Sequence, residues 1–186
     1  MFNLSVLVSD AFLDAVARDA PWDLAFGGVT WRTVPARALW ERIMRATYSY
    51  AEPGVIFIDR VNQRNPLHYL ENIRSANPCG EQPLPSYGAC LLGSINLAKL
   101  VNRPFTDEAE IDFSELESLV TVSVRMLDNA VDNSRYPLPE QEREAVAKRR
   151  IGLGITGLAD ALIMCGARYG GAKAVALTEQ WMAAFQ

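Results

Sequence analysis

The sequence is poor in the side chains that most often carry metal and acid–base chemistry. It has one histidine, His68, and three cysteines, Cys79, Cys90 and Cys165, with no C-x-x-C pair among them. Cation is also the minority charge: 18 Lys and Arg stand against 22 Asp and Glu, for a net charge of −4. Neutralising phosphates needs clustered basic residues. The one dense basic run, Lys148-Arg149-Arg150, suits the end of a helix, where cations complement the dipole. A nucleic-acid partner is therefore not expected. No apolar run approaches the roughly 20 residues of a membrane-spanning helix. The start, Met1 to Ser5, lacks the basic and apolar regions of a secretory signal. The expectation is a cytoplasmic, reducing setting without membrane association, in which cysteines act in catalysis or metal binding rather than as permanent staples. There is no internal repeat and no low-complexity linker.

What is present is an ordinary globular balance, 49% apolar and 22% charged over 186 residues, enough for one domain with a core. Asn3 to Val6 reads as strand, and Ser9 to Asp19 as a helix with Phe12, Leu13 and Val16 on one face. Gly27-Gly28 marks a hairpin between 23–26 and 29–32. Pro35 suits the first turn of a helix reaching Tyr50, with Leu39, Ile43 and Ala46 inward. Pro53-Gly54 turns the chain into Val55-Ile56-Phe57-Ile58, an apolar run expected to be a strand buried on both faces. Ser114-x-x-Glu117 forms a capping box for a long helix to Asn133, with Leu116, Val120, Leu127 and Val131 inward. Pro139 opens a helix ending near Arg150. Ile151 to Ile155 is predicted strand, 157–165 a helix stopped by Gly166, and a last helix starts at Ala172. Alternating helices and apolar strands indicate an α/β class. The apolar ends, above all Trp181 to Phe185, lead to the expectation of a single segment, 1–186, of a larger barrel or sheet.

Residues 62–90 read as mostly irregular, with six prolines and glycines. Within them lies Asn77-Pro78-Cys79-Gly80-Glu81, an amide, a thiol and a carboxylate at alternate positions. In an extended chain those three side chains share one face. Four uses are open: a buried cysteine in a loop, a metal site with His68 and Cys90, a nucleophile paired with His68, or a redox or radical thiol with Cys90 as a second sulfur. The wide spacings and lack of an evident fourth ligand disfavour the metal site. Gly152-x-Gly154-x-x-Gly157 fits a dinucleotide fingerprint, but the strand is short and no acidic residue closes a second strand about 20 residues on. A tight strand-to-helix turn is the expected reading there. Cys165, in an apolar helix, reads as core, and His68 as structural.

The stretch from Asn77 to Leu84, continued by Cys90-Leu91-Leu92-Gly93-Ser94-Ile95-Asn96-Leu97, closely resembles the active-site segment of the ribonucleotide reductase large chain, in the style of the adenosylcobalamin-dependent, class II enzymes. Residues 53–60 resemble the strand entering the site, and 149–160 a later barrel strand with its helix. The resemblance implies part of a ten-stranded α/β barrel with a finger loop inside it. It implies thiyl-radical reduction of ribonucleotides to 2′-deoxyribonucleotides. Cys79 would carry the radical, Glu81 would accept the 3′-hydroxyl proton, and Asn77 would hold the ribose hydroxyls. Pro78 and Gly80 would complete the substrate-binding loop. Cys90 would form a redox disulfide with a cysteine upstream of this segment. Adenosylcobalamin, a thioredoxin-type reductant, allosteric nucleotides, the rest of the barrel and a homodimer are the implied cofactor and partners. No protein metal site is implied, and this segment alone should be inactive. The alternatives are a class I large subunit served by a separate metal-radical protein, and a non-catalytic structural remnant.

Overall fold

The computed structural model describes residues 3–186, and the chain forms two compact units, Met1–Gly88 and Ala89–Gln186.

In the first unit, strand β1 (Ser5–Val8) leads into helix α1 (Asp10–Ala17), whose Ser9 cap accepts a hydrogen bond from the Phe12 amide at 3.2 Å. A hairpin follows, β2 (Pro21–Phe26) and β3 (Val29–Pro35). Its turn residues Gly27 and Gly28 sit at φ of 61° and 78°, a region glycine enters without steric cost. Helix α2 (Ala36–Tyr50) starts after Pro35 and leads to β4 (Gly54–Phe57), which pairs in parallel with β1 from Ser5↔Gly54 to Val8↔Phe57. The core beneath this crossover is Val8, Phe12, Ala15 and Ala36, with the Phe12 ring edge-on to Trp22 and Trp40 at 5.2 and 6.3 Å. Aromatic edges prefer such contacts because of the ring quadrupole.

The strand expected to be buried on both faces is not. All of β4 is at least partly exposed, because it pairs only with β1, and Ile58 already belongs to the next helix, α3 (Ile58–Gln63). The irregular stretch after α3 is ordered by side-chain amides. Asn62 both donates to the Ile73 carbonyl (3.0 Å) and accepts from the Ile73 amide (2.8 Å), and the buried Asn65 donates to Glu71 (3.0 Å). The stretch ends in a minimal antiparallel pair, β5 (Ser75–Ala76) and β6 (Pro83–Leu84).

In the second unit, β7 (Leu91–Asn96) pairs in parallel with β10 (Ile151–Thr156) over six residues, Leu91↔Ile151 to Asn96↔Thr156. Between them come a 3₁₀ turn at Leu97–Leu100, the short pair β8 (Val101–Asn102) and β9 (Glu110–Ile111), and helices α4 (Phe113–Asn133) and α5 (Pro139–Lys148). After β10 come α6 (Leu158–Met164) and α7 (Ala172–Ala183). Leu97, Leu116, Leu162 and Trp181 fill the core, and Cys165 lies among them as expected. The cap of α4 differs from the expected Ser114 box. Asp112 is the N-cap, and its carboxylate accepts from the Ser114 and Glu115 amides at 2.9 and 3.2 Å. A charged acceptor gains from the helix dipole as well as the hydrogen bonds.

The α/β class is observed, with two parallel strand pairs joined by helical crossovers. Among the described residues the strands form five separate two-stranded sheets. A closed barrel requires every strand to be paired on both sides, so the expected ten-stranded closure is not seen in this chain.

Candidate active site

The amide–thiol–acid segment is a loop, not an extended strand. The β5–β6 pair is prolonged by the Asn77 amide donating to the Gln82 carbonyl at 3.2 Å. Inside that ring the Gly80 amide donates to the Asn77 carbonyl at 3.0 Å, closing a four-residue turn over 77–80. The residues suit it: asparagine first, proline second with its φ preset, and glycine last, here at φ 83°. This turn chemistry was legible in the sequence, and it outweighs the alternation of an extended chain.

The turn brings two of the three predicted groups together. Asn77 Nδ2 donates to Glu81 Oε1, while Asn77 Oδ1 accepts from the Gln82 amide at 3.1 Å. The backbone donor determines which end of the amide is oxygen, so its NH₂ faces the acid. Cys79 occupies the third turn position and is exposed. Among the described residues no hydrogen bond engages its thiol. A Cβ built on Gly80 would meet nothing within 4 Å. Asn77 and Glu81 thus form a polar pair at the base of a turn that presents Cys79 at its tip.

The turn is also held from outside the loop. Asn3 Nδ2 donates to the Pro78 carbonyl at 2.8 Å, a contact 75 residues apart in sequence. Sequence reasoning placed Asn3 only as the start of a strand. A groove of about 650 Å³ lies beside this contact, lined by Asn3, Ser5, Ile56, Arg74, Ser75 and Asn77 among others.

Cys90 stands immediately before β7 in the second unit, half-buried. Burial pushes its thiol above the ordinary 9.0, and the positive field of Arg150 pulls in the opposite direction. Cys165 is buried, and its thiol is likewise pushed up by burial. His68 Nδ1 lies 3.1 Å from the Asn65 carbonyl, a local structural contact. Among the described residues no three metal-ligating side chains converge.

The glycine-rich stretch after Ile151 is a packing device. Gly157 turns β10 into α6 at φ 68°, and a Cβ there would stand 2.6 Å from Asn96 Oδ1 and 3.3 Å from the Ala98 amide. The basic run is consumed internally: Arg149 binds Asp128 and Asp132, and Lys148 and Arg150 pair with Glu144.

The whole chain, residues 1–186, matches the family model described as ribonucleotide reductase, barrel domain. The chain belongs to the ribonucleotide reductase family. It is 42% identical over its full length to the vitamin B12-dependent ribonucleoside-diphosphate reductase of Mycobacterium tuberculosis, covering 26% of that protein. It is 38% identical over 97% of its length to the protein of the same name from Thermoplasma acidophilum, covering 23%. The ribonucleoside-diphosphate reductase large subunit of Variola virus matches 70% of the chain at 32% identity. The chain thus spans about a quarter of the length of the B12-dependent relatives.

Proposed function

We propose that this chain is the active-site segment of a class II ribonucleotide reductase, which reduces ribonucleoside diphosphates to 2′-deoxyribonucleotides with a thiyl radical on Cys79. The observation that carries the reading is the 77–82 loop, where an Asn77–Glu81 polar pair underlies an exposed Cys79. The class is supported by the names of the relatives at 38–42% identity, which are B12-dependent, against 32% for the viral large subunit.

Cys79 is exposed at the turn. Bound adenosylcobalamin would supply the initiating radical chemistry; of the residues assigned here only Cys79 would face it. The Cys79 thiyl takes the hydrogen atom from C3′ and becomes a thiol. Glu81 accepts the 3′-hydroxyl proton, which assists loss of the 2′-hydroxyl as water by general base action. Asn77 keeps one amide hydrogen on Glu81 and offers its second to a ribose hydroxyl, so acid and sugar are oriented by one rigid group. Cys90 and a cysteine from outside this chain supply two electrons and two hydrogens, ending as a disulfide. Cys79 then returns its hydrogen to C3′ and regains the thiyl state, and Glu81 returns its proton to the 3′-oxygen. A thioredoxin-type dithiol reduces the disulfide. The net change is ribonucleotide plus dithiol to deoxyribonucleotide, disulfide and water.

In the complete protein β1–β4 and β7–β10 belong to a ten-stranded α/β barrel, and the 77–82 loop is the finger inside it. A water-poor barrel interior protects a reactive radical. The complete enzyme is cytoplasmic and homodimeric, with nucleotide effectors bound outside this segment. The test is the full-length enzyme with adenosylcobalamin, a ribonucleoside diphosphate and a dithiol. Cys79→Ser should abolish turnover with an unchanged melting temperature. Retained activity in that variant removes the assignment.

A further inference from the structure

We infer that Asn3 is a positioning residue for Cys79, setting the direction of the reactive sulfur through the Pro78–Cys79 peptide. The inference rests on the proposed radical role of Cys79. A peptide unit is planar, so its carbonyl, its amide and both flanking Cα atoms turn together. The Asn3 side chain donates to the carbonyl of that unit at 2.8 Å. A carbonyl only accepts, so the Asn3 NH₂ must face it. Holding the Pro78 oxygen therefore holds the plane that carries the Cys79 nitrogen and Cα.

The other restraints on the turn leave this plane free to tilt. The Gly80 amide and the Asn77 carbonyl close the turn at its ends, and the Asn77 side chain ties Glu81 and Gln82. None of these bonds touches the peptide between Pro78 and Cys79. Central peptides of turns can rotate while the turn stays closed, since two turn types differ by that rotation. Asn3 itself is well placed to resist it. It precedes β1, where the Leu4 carbonyl accepts from the Gly54 amide at 2.8 Å and Ser5 pairs with Gly54. The restraint runs from the parallel β1–β4 pair, across the groove beside Asn77, to the tip of the turn.

The test uses the full-length enzyme. Asn3→Asp keeps the shape and removes the donor; Asn3→Gln keeps an amide on a longer arm. For Asn3→Asp, kcat should fall about 10-fold, the loss of one positioning hydrogen bond. KM for the ribonucleotide and the melting temperature should hold. The isotope effect on kcat with 3′-deuterated substrate should rise, because hydrogen transfer becomes more rate-limiting. Asn3→Gln should recover part of kcat. Amide hydrogen exchange at Cys79, measured without cofactor, should speed up in Asn3→Asp. A normal kcat in Asn3→Asp, or a fall matched by a lower melting temperature with an unaltered isotope effect and exchange rate, overturns the inference. Cys79→Ser run alongside separates the failures: its retained turnover sinks the radical role, whereas its inactivity beside a normal Asn3→Asp sinks only the positioning role.

Discussion

Arg149 grips Asp132 with two parallel hydrogen bonds, of 2.7 and 3.0 Å, and reaches Asp128 one turn back with a third of 2.7 Å. Arg149 is the left-handed cap of α5 at φ 48°, so this fork ties the end of α5 to the last turns of α4. The guanidinium holds both carboxyls below their ordinary 3.8, chiefly through the hydrogen bonds. A carboxyl depressed on folding stabilises the fold above 3.8 and loses that contribution as pH falls through its lowered native value. The melting temperature should therefore drop as pH falls below about 4. Arg149→Met should lower it at neutral pH and flatten the acid limb. Exposure of the groups keeps the effect modest and sensitive to salt. An unchanged acid limb in Arg149→Met would count against the fork as its source.

Glu81→Gln should leave the loop folded, since a glutamine oxygen still accepts from Asn77. It cannot take up a proton, so deoxyribonucleotide formation by the full-length enzyme should fall by about 10²–10⁴-fold, the usual scale of a lost general base. Near-normal kcat would remove Glu81 from the proton-transfer step.

The three thiols should differ in reactivity. Cys79 is exposed, Cys90 is half-buried with its thiolate disfavoured, and Cys165 is buried in the core. Iodoacetamide at pH 8 on the 186-residue segment by itself, followed by peptide mass spectrometry, should label them in that order, with Cys165 reacting only after denaturation. Arg150→Met removes a charge that favours the Cys90 thiolate and should slow its labelling further. Equal rates at Cys79 and Cys165 would contradict the arrangement.

Gly157→Ala should destabilise the second unit by about 1–3 kcal/mol, because the new methyl meets Asn96 Oδ1 at a left-handed φ. Leu116 in the same unit, fully buried, should cost about 2–5 kcal/mol when cut to alanine. Denaturant unfolding measures both. A neutral Gly157→Ala would show that Asn96 gives way freely.

Much of the fold was legible because its signals are local. Gly27-Gly28 announces a hairpin from its own chemistry, and the inward positions Leu116, Leu127 and Val131 of α4 follow from helical period. The β7 strand carries no such local signal. Leu91 to Asn96 includes a glycine, a serine and an asparagine, and half of its residues are exposed, so no apolar run marks it. Its glycine is explained only by Leu127, 3.4 Å from where a Cβ would stand. Asp112 took the cap from Ser114 because a carboxylate one position before the helix outcompetes a hydroxyl already inside it.

The residues alone determined that an amide, a thiol and a carboxylate would be neighbours, with a proline and a glycine between them. The contacts of Asn77 with Glu81 and Gln82 are local to the loop, whereas tertiary structure decided that Asn3, 75 residues away, reaches the Pro78 carbonyl. The reason is range. Turn preferences act within a few residues and are written in order along the chain, whereas the hydrogen bond from Asn3, just before β1, needs two segments far apart in sequence to be brought together.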